Sequence, residues 1–354
     1  MTIPAVFFID LLTIIGLFVI ISMSLNLEFG YAGVPNFGKL LAVAGGAFFV
    51  GAVPGRLMMF IFNPSGGLDF VLNNIEAVTM LNQVIASDPS ASIIYLLLSL
   101  VGAGIAGGVL GYVASYPAIR LRGDYLAITL LAMAEILRVV GDNWPELIGG
   151  SMGVRIPDPF RWVGGESRAL AAAVTILAVA AVVFVYLELV LRSPLGRALR
   201  AMRDDELWAE VYGKDVVRLR TKTLIVGCAI AAIGGALYSF LTASVSARDF
   251  NRVTHTFWPW VMVIVGGAGN NVGALVGAGI FVTLRKIITF YKSYFEPFVP
   301  FDVVWLEYLL LGLALIVVLL YRPEGLVPEK PTKTLIRKDI QEIAERVRTE
   351  ASSG

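Results

Sequence analysis

Apolar residues in this chain come in long unbroken blocks separated by short polar stretches, with no strand-like alternation between them. The blocks lie near 4–27, 38–62, 91–117, 124–141, 169–191, 222–245, 256–268, 272–290 and 303–321. A bilayer needs about 20 apolar residues per helical crossing. The pattern therefore predicts an all-α, polytopic integral membrane protein with about nine (8–10) transmembrane helices. Two blocks are irregular. Gly51, Pro54 and Gly55 interrupt the second, and 256–268 is short enough for a half-span. Residues 1–322 form one transmembrane domain on this reading, and 323–354 form a polar tail with an amphipathic helix of mixed charge.

The interruptions carry the next layer of information. NLEFGYAGVPNFGK (26–39) places Asn26, Glu28, Gly30, Gly33 and Asn36 between two apolar blocks. Irregular backbone at membrane depth is tolerated against protein or a water-filled path. The segment either lines a solute pathway or is an interfacial turn. Small residues recur at four-residue spacing in Gly104/Gly108, Gly107/Gly111, Gly227/Ala231/Gly235 and Gly273/Gly277, which lets helix backbones approach closely. Glu135 has Arg138 at i+3, a spacing for a local ion pair. Outside the blocks, a surface helix is expected around 68–85, and the Gly- and Pro-rich stretch 142–168 reads as an ordered loop.

Residues 193–222 are the most charged interruption, with Arg197, Arg200, Arg203, Lys214, Arg218, Arg220 and Lys222 following Arg192. Basic loops stay on the cytoplasmic side. Alternation then puts Arg120, Arg122 and the tail beyond Arg322 inside, and 63–90 and 142–168 outside. Trp144, Trp162, Trp258, Trp260 and Trp305 fall at external ends, where an aromatic belt would sit. Arg285 and Lys286 fit this scheme least. Ser193 and Pro194 start a helix as cap and first position, and Leu195, Leu199 and Met202 form one apolar strip along it. Such a helix either docks into a partner's groove or belongs to a solvated loop that sets topology.

Composition removes several functions. The chain has 354 residues, 57% hydrophobic and 16% charged, with a mean hydropathy of +0.78. A net charge of +1 without a basic patch gives no nucleic-acid signal. Cys228 and His255 are single, which excludes internal disulfides and Cys-based metal cages. With no HExxH or paired-carboxylate motif, the chain reads as non-catalytic, with no metal and no cofactor. Gly102–Gly107 matches GxGxxG, but inside an apolar block with no strand before it. No Walker A sequence is present. The first block has neither a basic start nor an AxA site, so it reads as a retained span.

Several stretches together resemble the permease subunits of branched-chain amino acid importers of the ATP-binding cassette class. They are SLNLEFGYAGVPNFGK (24–39), RLRGDYLAITLLAMAEILR (120–138), SPLGRALRAMRDDELWAEVYGKDV (193–216), GCAIAAIGGALYSF (227–240), VMVIVGGAGNNVGALVGA (261–278) and YRPEGLVPE (321–329). The order covers about 10–330, and Val34, Asn36 and Lys39 depart from the pattern. The resemblance implies a plasma-membrane permease pairing with a sister permease as a heterodimer. Two cytoplasmic ATPase subunits would drive it and an external substrate-binding protein would feed it. It further implies that 193–222 is a coupling segment in an ATPase cleft, with Gly196, Arg197, Leu199, Arg200, Met202, Arg203, Asp204 and Asp205 at matching positions. Two other functions fit the residues: an importer of this class for urea or short amides, and an ion-coupled secondary transporter using Glu28 or Glu135.

Overall fold

A computed structural model describes residues 3–62, 69–165, 167–291 and 303–329. The expected tail helix beyond 329 lies outside them. Every apolar block is helical, which makes the all-α, polytopic reading correct. Helix α1 (Ile3–Leu25) runs into a π-helical turn (Asn26–Tyr31). The second block breaks at Val53 into α2 (Lys39–Ala52) and α3 (Pro54–Phe62), where Pro54 cannot donate to the ladder. The surface helix is α4 (Asn74–Ser87). Asp88 caps α5 (Pro89–Arg120) by accepting from the Ser90 N–H at 2.9 Å, and α6 (Gly123–Asn143) and the short α7 (Pro145–Ile148) follow.

The second half holds α8 (Ser167–Arg192), α9 (Pro194–Asp204), α10 (Glu206–Val211) and α11 (Val216–Thr242). A second π turn (Val253–Phe257) leads into α12 (Trp258–Gly266), and α13 (Asn271–Phe290) and α14 (Val303–Tyr321) complete the described chain. Six helices among the described residues are long and apolar enough to cross a membrane. Of the other three expected blocks, the ninth is helical as α14 over 19 residues, and the remaining two differ for physical reasons. Helix α6 carries Asp124, Glu135 and Arg138, and Val253–Gly266 is a half-span. The only β-structure described is a two-residue antiparallel pair, β1 (Val154–Arg155) with β2 (Ser244–Val245).

Helices α1, α2 and α11 form the centre, with α5 and α8 packed outside them. Contact is by backbone where side chains are smallest. A Cβ on Gly235 would overlap the Val43 carbonyl, and one on Gly46 the Ala232 carbonyl. On α5 the tight pair is Gly107 and Gly111, facing Cys228 and Leu224; Gly104 and Gly108 meet only Ile233 and Ile225 at ordinary distances of 3.6 and 3.7 Å. Gly273 and Gly277 press on Gly266 and Met262 across the α12–α13 hairpin.

The belt reading fails for two tryptophans. Trp258 and Trp260 are 4% and 7% exposed inside the bundle, whereas Trp144 and Trp162 are exposed. The Arg285 guanidinium lies 3.8 Å over the Trp258 ring, and Lys286 pairs with Asp10, which accounts for two cations that the sidedness pattern left misplaced.

Candidate functional site: an interrupted span under a surface helix

The π turn ends in a loop that folds back on itself. Gly33 takes φ +70°, and the Val34 N–H donates 2.8 Å to the Glu28 carbonyl. This return brings Glu28 and Asn36 together with Lys39. Lys39 Nζ lies 2.8 Å from Glu28 Oε2, both side chains fully buried. Asn36 Nδ2 donates to the same oxygen at 2.9 Å, and Cys228 Sγ approaches the other at 3.8 Å. Gly227 has no side chain where the carboxylate sits. The cluster is thus charge-neutral and hydrogen-bonded, as buried ions must be.

Around it the backbone polar groups are also answered. Trp260 stacks on Phe37 at 4.3 Å, and its indole N–H donates to the Asn36 carbonyl at 3.3 Å. The Leu40 N–H donates to Thr256 Oγ1 of the second π turn at 3.1 Å. Asn26 Nδ2 reaches Asn271 Oδ1 at 3.2 Å and its Oδ1 accepts from the Gly269 N–H at 2.9 Å, while Asn271 donates 3.1 Å to Glu188. Two helix interruptions therefore face each other across one polar seam. Asn26, Glu28 and Asn36 are at most 1% exposed, so the seam is closed in this conformation. Lys39 was read in the sequence only as a departure from a pattern; its pairing spans a turn of non-helical spacing.

Helices α9 and α10 lie over one end of this seam. Ser193, Asp205 and Asp215 cap α9, α10 and α11 in turn, accepting from Leu195, Trp208 and Arg218 N–H groups at 3.2, 3.1 and 2.8 Å. Gly196 presses on the Leu191 carbonyl, and Leu199 and Met202 are 2% and 1% exposed against the chain's own bundle. Leu199 and Met202 therefore offer no area to a partner, contrary to the sequence reading. Arg200 and Arg203 also turn inward. Arg203 Nη1 donates to the Gly30 carbonyl at 2.7 Å and lies 2.8 Å from Glu329; Arg200 Nε is 3.3 Å from Glu329 with its guanidinium 5.4 Å over the Tyr31 ring. Burial alone would lower the Arg203 pKa, but the hydrogen bonds and charges of Glu329 and Asp204 together outweigh it and hold the group above its usual value.

The outward side carries other residues. Arg197, Asp204 and Asp205 are exposed, and Leu207, Trp208, Val211 and Tyr212 are 68, 61, 74 and 77% exposed. The sequence signal for this patch was two i, i+4 apolar pairs after the Asp205 cap. Glu206 anchors the segment at its far end, pairing with Arg220 and with Arg122 at 3.2 Å. Arg220 in turn donates 3.1 Å to the Ala118 carbonyl of α5. On α6, Glu135 pairs with Arg138 as its spacing suggested, Nε donating at 2.8 Å, and with Arg252 at 3.2 Å.

Residues 7–319 match the family described as branched-chain amino acid transport system / permease component. A probable branched-chain amino acid transport permease protein LivM of Methanocaldococcus jannaschii is 41% identical over 95% of this chain and 99% of its own length. The high-affinity branched-chain amino acid transport system permease protein LivM of Salmonella typhimurium is 26% identical over 90% of this chain and 70% of its own. The permease protein LivH of the same kind of system in Escherichia coli is 25% identical over 55% and 67%. No solved structure matches the chain.

Proposed function

This chain belongs to the family of branched-chain amino acid transport permeases, a multi-pass protein of the plasma membrane, and from that premise we propose the subunit's place in its machine. It forms half of the translocation path of an importer, beside a sister permease, and carries no catalytic step itself. Separate ATPase subunits dock on α9 and α10, and an external binding protein delivers a branched-chain amino acid. The observation that supports this most is the two-faced form of the 194–212 segment. One face is spent on the permease through Leu199, Met202 and Arg203, and the other presents Leu207, Trp208, Val211 and Tyr212, which are exposed among the described residues. Exposed aromatic and aliphatic residues flanked by Arg197, Asp204 and Asp205 suit a partner's pocket with a polar rim.

The path itself we assign to the seam. Asn26, Glu28, Gly30, Gly33 and Asn36 sit where two broken helices meet, the position at which transporters place solute sites. In the closed form the Glu28–Lys39 pair cancels its own charge and seals the seam. Opening requires the π turn to move, and the Gly30 carbonyl at its end is held by Arg203 of the docking segment.

Sided labelling tests the docking assignment. Buried Cys228 leaves the wild type as a blank for an impermeant maleimide. Tyr212→Cys is expected to react in inverted vesicles and not in intact cells, and to be protected when the ATPase subunits are bound. Reaction from outside the cell, or no protection, would overturn it.

A further inference from the structure

The stretch after α14 crosses the end of the half-span as a short strap. The Leu326 and Val327 N–H groups donate to the Val265 and Gly266 carbonyls, both at 2.9 Å. Gly325, at φ +80°, rests on the Gly267 backbone where a side chain would overlap it. Asn270, which caps α13 through the Val272 N–H at 3.0 Å, also donates to the Pro328 carbonyl at 3.0 Å. The strap thereby covers the break between α12 and α13 with backbone bonds.

Its last described residue reaches further. Glu329 lies 2.8 Å from Arg203 and 3.3 Å from Arg200, beside Gly269, whose missing side chain leaves room for both Arg203 and Glu329. Arg203 in turn holds the Gly30 carbonyl. Three parts remote in sequence (the end of the first span, the docking helix and the strap) so meet at one guanidinium. A guanidinium presents several donors in a fixed plane, so one group can hold a carbonyl and a carboxylate at once. Glu329 and Arg203 are 28% and 25% exposed, so the junction adds little to stability and much to direction.

We propose that residues 323–329 are a transmission strap, in which Glu329 orients Arg203 so that movement of α9 is delivered to the π turn and the α12 half-span together. Arg203 and Glu329 are positioning residues on this view. The inference rests on α9–α10 being the ATPase-docking segment.

Glu329→Gln tests it in two ways, with Glu324→Gln, an exposed carboxylate on the same strap, as control. In the full-length permease alone, hydrogen exchange of the Leu326 and Val327 amides is expected to quicken about fivefold, the worth of a partly buried ion-pair junction. In vesicles holding the complete complex, radiolabelled leucine moved per ATP hydrolysed is expected to fall at least fivefold while ATPase binding and maximal hydrolysis stay within twofold. Unchanged exchange, an unchanged leucine-to-ATP ratio, or the same effects from Glu324→Gln would each overturn the strap. A wild-type complex that fails to bind ATPase at all would instead refute the docking assignment, and the exchange measurement would still decide whether Glu329 holds the strap.

Discussion

Lys39→Met is expected to lower the melting temperature of the purified permease by roughly 10 °C, among the largest effects of any single substitution in the molecule. The change leaves the Glu28 carboxylate fully buried with Asn36 and Cys228 as its remaining partners among the described residues. Removing one member of a buried ion pair costs about 3–5 kcal/mol, because the survivor keeps its desolvation penalty. In a domain of this size each kcal/mol moves melting by about 2–4 °C. Glu28→Gln should destabilise to a similar degree by stranding Lys39. The double variant Glu28→Gln with Lys39→Met should recover most of the loss, since Asn36 can still donate to a neutral amide and no charge remains. Melting followed by size-exclusion fluorescence checks all three; single variants that melt with the wild type would show that the pair does not hold the seam closed.

The second large effect is expected at the docking patch and leaves the fold alone. Trp208 and Tyr212 stand 6.5 Å apart, ring centre to ring centre, and both are exposed, so Trp208→Glu and Tyr212→Glu should express and melt normally. An aromatic anchor at an interface is worth about 2 kcal/mol or more. At 1.4 kcal/mol per tenfold, affinity for the ATPase subunit should fall about 30-fold or more. Arg161→Glu, on the opposite end of the bundle, supplies a charge change that should do nothing. Leu199→Ala makes an instructive contrast: as a bundle residue it should lower stability first. Binding of purified ATPase to the detergent-held permease complex is the measurement, and full affinity in Trp208→Glu would place the docking surface elsewhere.

The spans were legible because lipid demands a run of about 20 apolar residues and tolerates little else. The caps of α9 were legible too, since Ser193 and Pro194 act locally. What sequence did not separate is the host of an apolar strip. Leu199 and Met202 form a stripe that suits either the chain's own bundle or a partner, and only the packing shows that the bundle takes it. Trp258 and Trp260 misled for a related reason: an interfacial Trp and one buried against Arg285 or Phe37 look alike in a hydropathy pattern. Lys39 and Glu329 were missed because each finds its partner across a fold-back or across a long stretch of chain, where helical spacing carries no signal. Family resemblance pointed to the segments and said nothing of which face each side chain takes.

The most direct test joins the permease to its source of energy. Vesicles are prepared with this chain, a sister permease, ATPase subunits and binding protein, and radiolabelled leucine uptake is followed with ATP present and all ion gradients collapsed. Accumulation that requires both ATP and the binding protein, and that isoleucine and valine suppress while urea and acetamide do not, is the expected result. Accumulation driven by a sodium or proton gradient without ATP, or displacement of leucine by urea or acetamide, would contradict the assignment.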